Sequence, residues 1–66
     1  MLKISNNTPL PKIGAPATRA LNNIGVNFLE QLVNYTEQEI SELHGVGPKA
    51  VRILKEAMLK IGISFK

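Results

Sequence analysis

The chain has 66 residues, with eight Lys or Arg against five Asp or Glu, one His and no Cys. That length allows one small core and leaves little for a deep catalytic cleft, because a single core below about 70–80 residues supplies only ~3–5 kcal/mol. Disulfides and thiolate metal sites are excluded, a lone His argues against zinc, and a net charge of +3 suits an anionic partner without requiring one.

Residues 1–10 contain the polar, proline-bearing run SNNTPL and read as a tail or extended arm ahead of a domain at 11–66. They lack the long apolar run of a secretory leader. No stretch approaches the ~20 apolar residues of a membrane span. The expectation is a soluble, cytoplasmic protein.

Pro16 suits a first helical turn, where its missing N–H is no loss. Ala17, Ala20, Leu21 and Ile24 then fall on one stripe. Gly25 is predicted to end this helix in a left-handed cap. Asn27 is expected to cap a second short helix through FLEQLV. Thr36 with Glu39 forms a capping box that opens a third, EQEISEL. Gly45 and Gly47 interrupt the pattern, and Pro48 opens a last helix running to Ile61. Its predicted inner stripe is Val51, Leu54, Met58 and Ile61, widened by Ala50 and Ala57. Gly62 is placed for a C-cap, with Ile63 folding back onto the helix end. Strand-like alternation is absent, so the predicted class is all-α, a compact bundle of short helices.

Charge divides along the chain. Glu30, Glu37, Glu39 and Glu42 share a stretch without a base, and the positive residues lie on either side of it. One acidic, solvated face and one basic face are expected. Phe28, Tyr35 and Phe65 read as core or edge packing.

Two segments repeat at an offset of 33 residues: LPKIGAPATRAL over LHGVGPKAVRIL. Leu10 aligns with Leu43, Ile13 with Val46, Gly14 with Gly47, Ala17 with Ala50, Arg19 with Arg52 and Leu21 with Leu54. Two copies are too few for a solenoid. They suit two similar helix–hairpin–helix units about a pseudo-twofold axis.

The second copy carries the sharper chemistry. Gly45 and Gly47 permit unusual backbone angles and let another molecule approach the main chain. The following helix aims free N–H groups and its positive dipole end at the same place, an arrangement that binds phosphate oxygens. Lys49 adds a full charge there, while Val46 is expected to point inward and pin the loop. The competing reading is a tight helix–helix turn with no ligand. Lys12 and Gly14 form a weaker second loop that lacks the first glycine, and it is either a binding loop or a structural one. Arg19 and Arg52 are candidate contacts or solvated helix residues. His44 has no nucleophile or carboxylate at a suitable spacing, so neither an enzyme nor a cofactor site is expected.

LHGVGPKAVRIL resembles the helix–hairpin–helix motif of DNA-binding proteins. From about Leu10 to Phe65 the chain is similar to the C-terminal domain of the bacterial RNA polymerase alpha subunit, through ALNNIGV, LEQL, TEQEI, GVGPKA and the closing GIS. The resemblance implies four to five helices with paired helix–hairpin–helix motifs in a SAM-domain-like arrangement. It further implies non-enzymatic binding of the DNA backbone, duplex more than single-stranded, in a setting related to transcription, with RNA polymerase or another protein as a possible second partner. Gly47 and Lys49 match the family's hairpin positions, and Arg19 matches a polar contact of its first helix. Pro16 stands where the family carries its minor-groove arginine, and a proline cannot reach into a groove. The implied identity is a free-standing relative. The alternative function is a protein-interaction module using the acidic helical face.

Overall fold

Apolar residues at helical spacing decide where the core lies. In the computed structural model, which describes residues 7–66, the chain forms α1 (Ala15–Asn23), a 3-10 helix (Leu29–Asn34), α2 (Glu37–Ser41) and α3 (Pro48–Lys60). The fold is all-α. Among the described residues the one β-type pairing is an isolated antiparallel bridge between Pro9 and Phe28. Among the described residues no helix is long and apolar enough to cross a membrane.

α3 is the axis of the structure and packs against both α2 and the 3-10 helix. Its Ala50, Val51, Leu54 and Met58 are buried together with Ala17 and Leu21 of α1, Val26, Leu29, Leu32, Ile40 and Val46. Leu21, Leu32, Ile40 and Leu54 are wholly inaccessible to solvent. Truncating one of these to Ala removes its transfer energy and leaves a cavity, a loss of about 2–5 kcal/mol. Ile61 does not complete the stripe as expected: it is 40% exposed, because α3 ends one residue earlier and Ile61 already has non-helical angles.

Both long helices end alike. Gly25 and Gly62 take positive φ of 87° and 78°. Val26 N–H donates to Leu21 O and Gly25 N–H to Asn22 O; Ile63 N–H donates to Met58 O and Gly62 N–H to Leu59 O. Each pair is a Schellman motif that satisfies the last carbonyls with the chain's own amides. The expected glycine caps are therefore present. So is the capping box of α2, in which Glu39 N–H donates to Thr36 Oγ1 (3.0 Å) and Thr36 N–H to Glu39 Oε1 (2.8 Å).

The second helix differs from expectation. It is a 3-10 helix, and its cap residue is Phe28. Asn27 does not cap it. Its Oδ1 instead accepts from Asn22 Nδ2, and the Gln31 carbonyl takes the N–H groups of both Asn27 and Phe28. The glutamine thus fixes the entry of the chain into the helix from its N3 position, while no side chain takes the helix's own first amides. Tyr35 then ties the end of α1 to the C-terminal residue: its hydroxyl donates to Ile24 O, and its carbonyl accepts from Lys66 N–H.

The expected tail is also partly built in. Residues 1–6 lie outside the described part, but 7–10 dock on the 3-10 helix. Leu29 N–H donates to Thr8 O, and the Glu30 carboxylate accepts from both Thr8 N–H and Thr8 Oγ1. Leu10 and Ile13 pack against the core. Glu30 is therefore not a purely solvated acid. Hydrogen bonds from the Thr8 hydroxyl, aided by the Thr8 amide, hold its carboxyl below the ordinary value of 4.5. A lowered folded pKa stabilises the fold above the unfolded value, and that stability is lost as pH falls through the folded one. Urea melts of the wild type from pH 6 downward should therefore lose stability below about pH 4.5. Glu30→Gln, which carries no titrating group, should show a shallower decline over that interval.

Candidate nucleic-acid interface

Gly45 has φ +97°, a left-handed conformation that L side chains rarely adopt. A Cβ there would stand 2.9 Å from Pro16 O and 3.2 Å from Pro16 C. The absent side chain lets the α2–α3 loop lie directly on the first turn of α1. The first glycine of the pair is thus required by the fold itself. Val46 follows, 7% exposed, with its N–H donating to Leu43 O. Its side chain is a core residue, as expected, its N–H is used within the loop, and it does not line the depression described below.

Gly47 is different. Its φ of −103° and ψ of 179° are open to any residue, and a Cβ would meet nothing within 4 Å. The expectation that both glycines need special angles fails here. Gly47 is the N-cap of α3, and its carbonyl accepts from Val51 N–H. It provides no side-chain cap. Pro48 has no N–H, and the amides of Lys49 and Ala50 have no acceptor among the described residues. Ser, Thr, Asn or Asp at this position would occupy one of those amides.

α1 begins in the same way. Gly14 is its N-cap, again without a side-chain cap, with Pro16 in the first turn. The two copies of the repeat therefore supply two uncapped helix starts, although the proline falls one position later in α1 and removes the amide that corresponds to that of Lys49. They are not conformational copies, since Gly14 has φ +94°.

The contact of Gly45 with Pro16 brings the two starts together. Lys12, Ile13 and Gly14 from one side, and Gly45, Gly47, Lys49, Ala50 and Ile53 from the other, line one depression. Both lysines are exposed and neither has an acidic partner among the described residues. No acid lines the depression. The uncapped start of α3 and two exposed lysines border the same space, a setting that favours an anion.

Arg19 lies beside this depression, in an adjoining cleft with Pro16, Ala20, Asn23, His44 and Gly45. Arg52 does not join it. Three residues beyond Lys49, it turns to another groove, lined with Glu37, Lys55 and Glu56 among others, where the Lys55–Glu37 ion pair of 3.2 Å also sits. Ile53 was not foreseen as part of the site. It stands one helical turn after Lys49 and off the Val51–Leu54–Met58 stripe, which was the available signal.

The two glycines should respond oppositely to a methyl group. Gly45→Ala combines a disfavoured φ with a backbone clash and should lower stability by about 2 kcal/mol in urea denaturation. Gly47→Ala loses a modest cap preference and gains from a stiffer unfolded chain, so its stability should stay within about 0.5 kcal/mol of wild type.

Comparison of the chain with protein-family models, with curated proteins and with solved structures gives no match.

Proposed function

We propose that the protein is a non-enzymatic nucleic-acid-binding module that holds backbone phosphates of duplex DNA at the start of α3. The observation that carries this reading is Gly47, a glycine where neither φ nor packing calls for one. Its lack of a side chain leaves the Lys49 and Ala50 amides uncapped and the approach to them clear. A phosphate oxygen accepts from those amides, and Lys49 supplies the ion pair. Lys12 and the Gly14 loop provide a second cationic edge to the same depression. Arg19, in the adjoining cleft, extends the footprint along α1.

The paired helix starts support reading the chain as two helix–hairpin–helix units in a SAM-domain-like arrangement, related to the polymerase alpha C-terminal domain. Phosphate contacts carry no base information, so binding on this account is sequence-tolerant. Pro16 in the first turn of α1 removes a groove-reading side chain and favours backbone contact further. A role beside RNA polymerase belongs to the same reading.

The acidic-face alternative has less behind it. Glu37 pairs with Lys55, Glu39 closes the capping box, and Glu42 accepts from Gln38 Nε2. Each acid of α2 and its C-cap thus has a partner within the chain.

Titration of a fluorescent duplex across salt concentrations tests the proposal. Lys49→Gln should weaken binding and lower the slope of log K against log salt by about one unit. Arg52→Gln, facing the other groove, should leave the slope nearly unchanged. Equal slopes for wild type and Lys49→Gln would remove the α3 start as the contact.

A further inference from the structure

The arm at 7–12 ends in Lys12, a cation of the depression, and is clasped near its start at Thr8. Glu30 grips Thr8 twice, through the Thr8 amide at 2.9 Å and through the Thr8 hydroxyl. Leu29 N–H adds a third bond to Thr8 O, at 2.9 Å. Pro9 bridges Phe28, and Leu10 and Ile13 rest on the core. Pro9 and Pro11 stiffen the short path from the clasp to Lys12 by fixing φ at two of its positions. Little slack remains to absorb a release at Thr8.

We infer that Glu30 is a positioning residue for the anion site: by clasping Thr8 it fixes the arm that presents Lys12 and Gly14 to the depression shared with Lys49. This rests on the phosphate-binding reading above. It also reverses the simple electrostatic expectation. Removing an acid from a basic protein raises its affinity for a polyanion through the overall field. Opening the clasp loosens the arm that carries Lys12, and ordering it again on binding costs conformational entropy. The two effects have opposite signs, so the sign of the change identifies the cause.

The experiment is duplex DNA titration at low and moderate salt with Glu30→Ala, Thr8→Val, Thr8→Ser and Lys12→Gln, and with the double variant Thr8→Val/Lys12→Gln. Circular dichroism melts confirm that each remains folded at the temperature used. Glu30→Ala and Thr8→Val should each weaken binding by about three-fold. Thr8→Ser, which keeps the hydroxyl donor, should bind like wild type. In the double variant the losses should not add, because Lys12 contributes little once the arm is loose. Tighter binding by Glu30→Ala, or additive losses in the double variant, would overturn the inference. Should Glu30→Ala unfold, the charge-neutral Thr8→Val cycle decides alone. Failure of the phosphate reading itself is separately visible, as wild-type binding that is indifferent to Lys49→Gln.

Discussion

The arrangement depends on one close contact between two backbones. Gly45 lies so near the Pro16 carbonyl that no Cβ fits between them, and its positive φ turns the loop toward α1. Through this contact the start of α3 and the start of α1 become neighbours. Without it, two unrelated helix ends would face different directions. With it, Lys12, Gly14, Gly47 and Lys49 border one space. A packing constraint thus builds the electrostatic one. The first glycine of the pair serves the fold, and the second leaves the surface open.

The helix ends tell the same story from another direction. The C-termini of α1 and α3 are closed by Schellman hydrogen bonds from the chain's own amides. The N-terminus of α2 is closed by Thr36 and Glu39. The N-termini of α1 and α3 alone lack any side-chain cap among the α-helices described. Those two ends are the ones brought together, and they lie among bases without an acid in the lining. Four of the five acids lie instead on α2, at its C-cap and at the Thr8 clasp, where each has a partner within the fold. The fifth, Glu56, lines the mixed-charge groove on the other side of α3 with Arg52 and Lys55.

Local chemistry was legible in the sequence, and long-range chemistry was not. Gly25, Gly62, the Thr36–Glu39 box and the proline-started helices were all readable, because cap signals act over three to five residues. The Val51–Leu54–Met58 stripe was readable from its period. The Thr8–Glu30 clasp spans 22 residues and has no pattern that announces it. Leu10 and Ile13 were the available hint, since apolar residues in an arm imply that it rests on something. The cap of the second helix was misplaced because the helix starts one residue later than Asn27 allows, with Phe28 as its cap and the Gln31 side chain taking the Phe28 N–H. Of the site residues, Lys12, Gly14, Gly45, Gly47 and Lys49 do come together. Arg52 sits only about 60° round α3 from Lys49, yet it lines the neighbouring groove with Glu37 and Lys55, which a linear motif does not display.

The most direct measurement of the central claim is an amide chemical-shift titration of the labelled protein with a short DNA duplex. Phosphate capture at the uncapped helix starts predicts the largest shifts at Gly47, Lys49 and Ala50, with a second set at Gly14 and Ala15. Shifts confined to α2 and its acids, or none at all at low salt, would contradict it.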